Sequence, residues 1–487
     1  MSEATGEQRK PGRVLDLERR EMPVQESDER IRNFDEVALG YPTELAMAEA
    51  RRCLDCKKPR CVEGCPVSVN IPGFIRELAA GSPERAIDVL RSTNLLPAVC
   101  GRVCPQENQC EALCALAKRG GTVAIGRLER FVADWAAARH LLKPPACQPS
   151  TGLRVAVVGS GPAGLTAACD LLRLGHAVTV FEALHEPGGV LTYGIPEFRL
   201  PKDIVRREID TIRQMGGEIV TDFVVGKSAT VAELREEYDA VFIATGAGLP
   251  WFMEIPGEEL VGVMSANEYL TRVNLLKAYR KNAATPVPKA RCAAVIGCGN
   301  VAMDAARTAK RLGAREVHIV YRRTRDEAPA RLEELEHAEE EGIIFDWLTL
   351  PTAFHGDEGY LTAMTCQRQE LGEPDARGRR SPVPILGSEF TFPVDLAILA
   401  IGQSPNPLIR TTTPGLETTR RGTIVADPET GRTNIPGVFA GGDVVTGQAT
   451  VILAMGAGRK AAASVDAWLR TGEWALPPQE APRAEDS

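Results

Sequence analysis

The sequence predicts an α/β protein in which an α-helical N-terminal part precedes two parallel β-sheets, and three observations support this prediction. Apolar residues recur at helical spacing in several segments between residues 25 and 140. Residues 154–182 have the pattern of a strand, a glycine-rich turn, a helix and a second strand, and residues 293–323 repeat this order. Residues 140–152 contain three prolines and break the helical pattern, which indicates a linker between the two parts.

Composition and charge narrow the class of protein. The chain has 487 residues, of which 44% are hydrophobic and 25% charged, as is typical of a globular protein. Its net charge of −8 argues against nucleic-acid binding and against a polybasic membrane surface. The N-terminus is polar and lacks the apolar stretch of a signal peptide. We therefore expect a cytoplasmic protein with no nucleic-acid or membrane partner, in a compartment where clustered cysteines bind metal or take part in redox chemistry.

Eight of the 13 cysteines fall in two short runs, residues 53–65 and 100–114. The first run has the spacing C-x2-C-x4-C-x3-C-P, and the second has the spacing C-x3-C-P-x4-C-x3-C. Several closely spaced thiolates, together with a Cys-Pro pair in each run, are typical of iron–sulfur proteins. Zinc ribbons are the alternative, but they typically use two C-x2-C pairs, and only Cys53 and Cys56 have that spacing.

The first glycine-rich turn contains Gly159, Gly161 and Gly164 and follows a predicted strand. These glycines permit a tight turn, close approach to a pyrophosphate and close packing of the helix on the strand, while the helix N-terminus favours the phosphate charge. Glu182 ends the next predicted strand, where the ribose of a dinucleotide needs a hydrogen-bond acceptor. The turn therefore predicts a dinucleotide site, and an ordinary α/β turn is the alternative.

The second glycine-rich turn predicts a site for NADP(H). Its candidate contacts are Gly297, Gly299 and Asn300, and the strand that follows ends in Arg322 and Arg323 rather than in an acid. An acid at this position would repel a 2′-phosphate, whereas arginine binds it through paired, charge-assisted hydrogen bonds. The alternative is that both arginines are ordinary solvated surface charges.

Two nucleotide sites in one chain suggest a flavin beside a pyridine nucleotide, and the first site suits FAD. Asp443, in the Gly-Gly-Asp turn of residues 441–443, is predicted to contact the ribityl or pyrophosphate part of the flavin, although it could also be a helix N-cap. Gly189 lies in a further candidate segment for flavin binding. Arg199 could set the charge near the flavin N5 atom, and a surface ion pair is the alternative.

The combination of groups predicts electron transfer rather than acid–base catalysis. NADPH donates a hydride, which is two electrons at once, whereas an iron–sulfur cluster accepts a single electron. A flavin accepts two electrons and releases them one at a time. We therefore expect the cofactors to supply the chemistry and no side chain to act as a catalytic acid or base.

The segments GSGPAGLTAA, PGGVLTYGIPEFRLPK, GCGNVAMDAAR and GVFAGGDVV resemble the small subunit of glutamate synthase. The resemblance extends over residues 25–470 and includes the cysteine-rich part. The segments AVCGRVCPQENQCEALC and AIGRLERFVADW are most similar to the branch that contains the large subunit of NADH-dependent reduced ferredoxin:NADP oxidoreductase. The family implies two Rossmann-like dinucleotide-binding domains, for FAD and for NADP, behind an α-helical iron–sulfur domain.

The resemblance also implies two 4Fe–4S clusters whose ligands interleave along the chain. One cluster would be bound by Cys53, Cys56, Cys61 and Cys114. The other would be bound by Cys65, Cys104, Cys110 and Glu129. Cys100 is the alternative to Glu129 as fourth ligand, because thiolate is the usual ligand of such clusters, but the family favours Glu129.

The predicted domains follow from these assignments. They are a flexible tail over residues 1–24, a helical domain with two 4Fe–4S clusters over residues 25–147, an FAD-binding domain over residues 148–257 and 404–487, and an NADP(H)-binding domain over residues 258–403.

The sequence thus predicts an NADPH-linked FAD and iron–sulfur oxidoreductase subunit that exchanges electrons with a partner. That partner would be a glutamate synthase large subunit or a small flavin and iron–sulfur subunit. The second kind of partner would make the chain the large subunit of an electron-bifurcating NADH/ferredoxin:NADP transhydrogenase or of a sulfide dehydrogenase. A non-catalytic iron–sulfur scaffold is the remaining alternative, and the two intact nucleotide turns argue against it.

Overall fold

The computed structural model describes residues 16–374, 378 and 380–474. It contains a helical N-terminal domain, two α/β domains with five-stranded parallel sheets, and an antiparallel layer on the second of these. The predicted fold class is therefore confirmed. Residues 1–15 of the predicted tail and residues 475–487 of the predicted FAD-binding domain lie outside the described residues. No helix in the described ranges combines the length and apolarity that crossing a membrane requires.

The N-terminal domain, here called the cysteine domain (residues 16–141), consists of short helices joined by cysteine-rich loops. The helices are α1 (Ser27–Arg30), α2 (Thr43–Ala50), α3 (Arg60–Glu63), α4 (Ile71–Ala79), α5 (Pro83–Arg91), α6 (Pro97–Val103) and α7 (Ile125–Ala138). Helix α4 shows why these segments are helical: the Asn70 side chain accepts a hydrogen bond from the backbone of Gly73 and caps the N-terminus. Apolar residues at helical spacing then bury one face of α4 in the core of the domain.

Residues 16–24 are ordered against the cysteine domain, so the prediction of a flexible tail is wrong for this part. The Arg52 guanidinium donates hydrogen bonds to the carbonyl oxygens of Asp16 and Leu17, at 3.1 Å each. The Arg19 side chain forms an ion pair with Glu111 at 2.7 Å. The segment, whose charges resemble those of a solvated tail in the sequence, is thus held by the buried side chains of Arg52 and Glu111.

The first α/β domain is built on a parallel sheet with the strand order β16-β4-β1-β2-β3. Its elements before the second domain are β1 (Arg154–Val158), α8 (Pro162–Arg173), β2 (Ala177–Phe181), α9 (Val190–Tyr193), α10 (Lys202–Gln214), β3 (Glu218–Val220), α11 (Val231–Glu237), β4 (Ala240–Ile243) and β5 (Leu249–Pro250). Its elements after the second domain are β15 (Gln403–Ser404), α15 (Leu408–Thr412), β16 (Val438–Ala440), α16 (Asp443–Thr446) and α17 (Val451–Thr471).

The second α/β domain has a parallel sheet with the order β6-β14-β7-β8-β9. Its elements are β6 (Val263–Ser265), α12 (Ala266–Asn274), β7 (Cys292–Ile296), α13 (Asn300–Arg311), β8 (Glu316–Tyr321), α14 (Leu332–Glu340), β9 (Ile344–Trp347), β10 (Thr349–Asp357), β11 (Tyr360–Pro374), β12 (Arg380–Pro384), β13 (Phe390–Pro393) and β14 (Leu396–Leu399). Strands β10–β13 form an antiparallel layer that packs on one face of the parallel sheet through a shared apolar cluster, and the sequence analysis did not predict this layer.

A two-stranded antiparallel ribbon marks the crossing between the two α/β domains. Strand β5 runs toward the second domain and pairs with β15, which runs back. The predicted boundary between residues 403 and 404 falls inside this ribbon, and the boundary between residues 257 and 258 falls after it.

Glu341, which directly follows α14, is a buried carboxylate that accepts hydrogen bonds from three arginines. Arg307 and Arg311 of α13 donate to it at 2.8 and 2.6 Å. Arg30 of α1 donates to it from the cysteine domain at 2.9 Å. Burial alone would raise the pKa of Glu341, but Arg307 and Arg311 lower it to about 2. The carboxylate therefore stays charged and joins the cysteine domain to the second α/β domain.

Arg199 extends this arrangement to the first α/β domain. Its guanidinium donates to both carboxylate oxygens of Asp304 at 2.7 Å and lies 3.1 Å from Glu334, which also accepts from Arg307. Arg199 therefore forms an ion pair, as the predicted alternative has it, but only 9% of the residue is exposed, so the pair is buried and not on the surface. Its role near the flavin N5 atom stays a prediction. We call the full set the ion network; its members are Arg30, Arg199, Asp304, Arg307, Arg311, Glu334 and Glu341.

The Arg307→Met substitution tests how much the ion network contributes to stability. It removes the guanidinium that bridges two buried carboxylates and leaves their charge undercompensated, so the free energy of unfolding should fall by about 3–5 kcal/mol. Urea unfolding followed by tryptophan fluorescence measures the change. The control is Arg272→Met, which breaks a partly exposed pair with Glu268 on α12 and should cost less than about 1 kcal/mol. A similar cost for both variants would contradict the role given to the ion network.

Candidate functional site

The first glycine-rich turn has the backbone geometry that close approach of a phosphate requires. Gly159 has a φ angle of +105°, and a β-carbon there would lie 2.5 Å from the carbonyl oxygen of Ala244. A β-carbon at Gly164 would lie 1.9 Å from the carbonyl oxygen of Gly159, so this glycine permits α8 to pack on β1. A β-carbon at Gly161 would meet no atom within 4 Å. The space above Gly161, at the N-terminus of α8, fits a pyrophosphate.

Glu182 lies beside this turn and is held by it. Its buried carboxylate accepts hydrogen bonds from the backbone N–H of Ser160 at 3.1 Å and of Leu184 at 2.9 Å, and also from the Ser160 hydroxyl. The Ser160 hydroxyl in turn accepts from the backbone N–H of Gly188 at 2.9 Å. The sequence analysis missed Ser160, although its position between the first two glycines was a usable signal.

Gly189 is also brought to the first turn. It has a φ angle of +55°, and a β-carbon there would lie 2.9 Å from the Cα atom of Gly161. The predicted flavin contacts Gly159, Gly161, Glu182 and Gly189 therefore line one place at the carboxyl ends of β1 and β2.

Asp443 completes this site from the far end of the sequence. It follows Gly442, whose φ angle is +77° and whose β-carbon would lie 3.0 Å from the Ala163 side chain in α8. The Oδ1 atom of Asp443 is buried and has no hydrogen-bond partner among the described residues, and burial raises the pKa of Asp443 to about 6. An unsatisfied buried acceptor fits a contact with a flavin hydroxyl. The N-cap of α16 is Gly442, so the predicted alternative of an N-cap role for Asp443 is wrong.

The second glycine-rich turn repeats the geometry of the first. Gly297 has a φ angle of +122°, and a β-carbon there would lie 2.4 Å from the carbonyl oxygen of Ala400. Gly299 faces open space at the N-terminus of α13, with one proline carbon at 3.9 Å. Asn300 begins α13, and its side-chain oxygen accepts a hydrogen bond from the backbone N–H of Arg331 at 3.0 Å.

Arg322 and Arg323 directly follow β8, as the sequence predicted. Neither guanidinium forms an ion pair within the part of the chain that the structure describes. Arg322 is exposed, whereas Arg323 is half-buried and its Nε atom is buried without a hydrogen-bond partner. A buried donor without a hydrogen-bond partner is costly. The Nε atom of Arg323 therefore favours the predicted phosphate contact over the alternative that this arginine is an ordinary solvated surface charge.

The first set of cysteines surrounds one cavity. Cys53, Cys56, Cys61 and Cys114, which we call cysteine set 1, all line a cavity of about 330 Å³ in the cysteine domain. Burial raises the pKa of the Cys61 thiol to about 12, and neighbouring thiols of the same set add to this shift. Four thiols gathered around one cavity fit a 4Fe–4S cluster, because its iron supplies the positive charge that thiolates need.

The second set lies deeper in the cysteine domain. Cys65, Cys104, Cys110 and Glu129, which we call cysteine set 2, lie close enough for their charges to influence one another. A β-carbon at Gly101 would lie only 2.5 Å from the backbone nitrogen of Arg130, the residue after Glu129. This glycine therefore permits α6 and α7 to pack closely and brings Cys104 beside Glu129.

Glu129 and Cys100, the two candidates for the fourth ligand of set 2, both lie beside it. Glu129 is buried and accepts a hydrogen bond from the Asn94 side chain at 2.7 Å, but it has no cationic partner among the described residues. Burial raises the pKa of Glu129 to about 8. The Cys100 Sγ atom is also buried, 3.5 Å from the Met455 sulfur. In the metal-free chain the Glu129 carboxyl is therefore mostly protonated at neutral pH, and among the described residues no side-chain cation competes for it. A cluster iron would take the place of the proton, so we propose Glu129 as the ligand.

The fold and these sites together define an NADPH-linked oxidoreductase that uses FAD and 4Fe–4S chemistry. Residues 30–141 match the family described as "Dihydroprymidine dehydrogenase domain II, 4Fe-4S cluster". Residues 153–461 match the family described as "Pyridine nucleotide-disulphide oxidoreductase".

Comparison with curated proteins identifies the family. The chain is 39% identical over 450 residues to the small chain of NADPH glutamate synthase from Azospirillum brasilense, covering 91% of this chain and 93% of that protein. It is 40% identical over 435 residues to the NADP(+)-dependent formate dehydrogenase subunit beta from Moorella thermoacetica, covering 85% of this chain but only 60% of that subunit. The chain belongs to the glutamate synthase small-subunit family. The names of both relatives describe subunits of larger enzymes.

A solved structure agrees with the α/β part of the fold. FprA from Mycobacterium tuberculosis, in a structure described as a complex with NADPH, superposes with a TM-score of 0.55 at 25% identity. The match covers 66% of this chain and 84% of that one.

The double substitution Arg322→Ala and Arg323→Ala tests the proposed 2′-phosphate contact. Each arginine that reaches the phosphate is worth about 1.5–3 kcal/mol, so the KM for NADPH should rise by at least about tenfold. The KM for NADH, which lacks the phosphate, should barely change. Steady-state reduction of ferricyanide measures both constants. Arg325→Ala is the control, because Arg325 lies on the same loop but pairs with Glu339 at 3.1 Å. An equal rise of both KM values would contradict the contact.

Iron content and two variants test the cluster ligands. Two 4Fe–4S clusters require about eight irons per chain, measured on anaerobically purified protein. If Glu129 is the fourth ligand of set 2, Glu129→Ala should lose or alter that cluster, by iron content and electron paramagnetic resonance, while Cys100→Ala should not. Cys169→Ala, a buried cysteine in α8, is the control for loss of a thiol. The opposite result for Glu129 and Cys100 would reverse the assignment, and zinc in place of iron would contradict both clusters.

Proposed function

We propose that the chain transfers electrons from NADPH to a glutamate synthase large subunit, through the first α/β domain, cysteine set 2 and cysteine set 1 in that order. FAD, when bound, accepts the hydride of NADPH and releases single electrons. The order of the sites in space supports this proposal. The similarity to the Azospirillum small chain, which extends over nearly the full length of both chains, supports the choice of partner.

Set 2 lies against the flavin-binding part of the chain. Pro66, the residue after Cys65, packs on α17: a β-carbon at Gly456 would lie 2.9 Å from the Pro66 carbonyl oxygen. The Cys100 sulfur contacts Met455 of the same helix. Helix α17 then packs on α8, where a β-carbon at Gly458 would lie 2.2 Å from the Ala163 carbonyl oxygen. Glycines at both contacts therefore bring set 2 close to the helix that begins at the first nucleotide turn.

Set 1 lies toward the surface. Its cavity opens beside three cationic side chains that line it, Lys58, Arg60 and Lys118, and all three are exposed. A cationic rim attracts an acidic protein surface and increases its rate of association at low salt. Set 1 is therefore the proposed point from which electrons leave the chain.

The ion network supports the same function. It joins Arg199 of the first α/β domain to Asp304 on α13, the helix that begins at the second nucleotide turn. The two nucleotide turns are therefore connected by a buried pair at 2.7 Å rather than only by the ribbon of β5 and β15. A fixed relative position of the two turns is what hydride transfer between two bound nucleotides requires.

The triple substitution Lys58→Glu, Arg60→Glu and Lys118→Glu tests the proposed exit. Reversing three charges on the rim should repel the anionic acceptor ferricyanide and attract the cationic acceptor hexaammineruthenium(III). The ratio of the two NADPH-dependent reduction rates should fall several-fold at low ionic strength, and added salt should diminish the effect. The control exchanges three exposed charges far from the rim, Arg410, Arg420 and Arg421, for glutamate. An unchanged ratio in the rim variant would mean that these acceptors are reduced elsewhere.

The Cys65→Ala variant tests the route itself. With the partner present, loss of a set 2 ligand should reduce the NADPH-dependent formation of glutamate from glutamine and 2-oxoglutarate far more than it slows the reduction of bound FAD by NADPH, which is followed by the flavin absorbance. Co-purification from the native cell identifies the partner. Recovery of a different redox subunit, or partner-linked activity that survives loss of both cysteine sets, would overturn the proposal.

A further inference from the structure

Three side chains with metal-binding atoms meet in the second α/β domain, away from both nucleotide turns and both cysteine sets. One ligand atom each from Cys292, Glu316 and His318 lies within 4.8 Å of the other two. Cys292 and Glu316 are paired residues at the start of the adjacent parallel strands β7 and β8. His318 lies two residues after Glu316 and so points to the same face of the sheet. The register of two strands therefore places a thiol, a carboxylate and an imidazole together.

A fourth residue fixes the orientation of the imidazole. The Nδ1 atom of His318 lies 2.8 Å from the carboxylate of Asp346 in β9, and its Nε2 atom lies 3.9 Å from the Glu316 carboxylate. A histidine that binds metal through one ring nitrogen almost always donates the other N–H to a carboxylate or carbonyl oxygen. Asp346 therefore fills the supporting position and leaves Nε2 available on the side of Glu316.

The surroundings are those of a partly enclosed site. The ring of Phe392, from the antiparallel layer, lies 5.3 Å from the His318 ring, and the backbone N–H of Cys292 donates to Asp395 at 2.9 Å. The Glu316 side chain is 66% exposed, so the site is open to water on that side. It lies at the amino ends of the strands, whereas Arg322 follows the carboxyl end of β8.

We propose that Cys292, Glu316 and His318 bind one zinc ion, with Asp346 as the residue that positions His318. Thiolate, imidazole and carboxylate are the three kinds of ligand that zinc takes in proteins, and water would complete a tetrahedral set on the open side. Magnesium and calcium prefer sites made of oxygen ligands alone, so the thiol argues against them.

The three ligand atoms would have to move slightly closer together when the ion binds. Ligands about 2.0–2.3 Å from zinc lie roughly 3.3–3.8 Å from one another in a tetrahedral site. The Nε2–Oε2 distance of 3.9 Å is already close to this range. Glu316 has the most exposed side chain of the three, and a rotation of that side chain alone shortens its distances. The bound ion would join β7 to β8 at their amino ends, whereas the second nucleotide turn follows the carboxyl end of β7.

A protonated His318 is the competing arrangement. Hydrogen bonds with Asp346 and Cys292 raise the pKa of His318 to about 10 in the metal-free chain, so an imidazolium could occupy the same place without zinc. The two arrangements differ in metal content, which makes them separable by direct analysis.

The experiment uses the holoprotein with FAD and its iron–sulfur clusters. The protein is incubated with zinc chloride under anaerobic conditions, passed over a chelating column, and analysed for zinc and iron by mass spectrometry. We expect about one zinc per chain with no loss of iron, and no zinc in His318→Gln. Cys147→Ser and His355→Gln remove the same kinds of side chain elsewhere on the exposed surface and should retain the zinc.

Thermal unfolding gives a second measurement. Zinc should raise the melting temperature of the wild-type protein and of both controls, but not that of His318→Gln, and magnesium should have no such effect. Glu316→Gln, at an exposed side chain, should fold normally and bind zinc more weakly. Absence of retained zinc in the wild-type protein, or equal zinc in wild type and His318→Gln, would overturn the proposal. Loss of iron on zinc addition, with zinc retained by His318→Gln, would show binding at the cysteine sets instead.

Discussion

One buried carboxylate, Glu341, with three guanidinium groups around it holds the domains of this protein in their relative positions. Each of these charges would be costly to bury alone, and their mutual attraction offsets that cost only while the set is complete. The members come from all three domains: Arg30 from the cysteine domain, Arg199 from the first α/β domain and the others from the second. Separation of any one domain would therefore leave buried charges without their partners. The ion network thereby makes direct contacts with all three domains.

The ion network acts beside apolar packing that is unevenly distributed among the domains. The cysteine domain and the first α/β domain share one hydrophobic core cluster, which contains buried residues of α4–α7 together with buried residues of α8, α10 and α17. The second α/β domain has two clusters of its own, and the ribbon that joins it to the first domain contains two residues per strand. The buried charges therefore matter most for the position of the second α/β domain.

The sequence predicted features that are encoded within a few neighbouring residues and missed contacts between residues that lie far apart in the chain. The glycine turns at Gly159 and Gly297 were recognisable because the geometry of a tight turn is encoded within a few residues. The position of Arg322 and Arg323 directly after β8 was predictable because the strand itself was recognisable in the sequence. Arg199, by contrast, pairs with Asp304, 105 positions along the chain, and nothing local distinguishes it from a surface arginine. The same holds for the ordered residues 16–24, whose partners are buried charges of the folded domain. The division of cysteines into two sets came from family resemblance, since spacing alone allows several groupings.

The glycine at position 456 bears on the rate of electron transfer. It is the residue whose missing side chain permits the backbone at Pro66 to rest on α17. Electron tunnelling weakens exponentially with the width of the gap between donor and acceptor, so on the proposed route a methyl group at this position would slow the step between the flavin and cysteine set 2 while leaving both redox centres chemically unchanged. The rate of that step would thereby depend on a residue that bears no charge and is none of the predicted cofactor contacts.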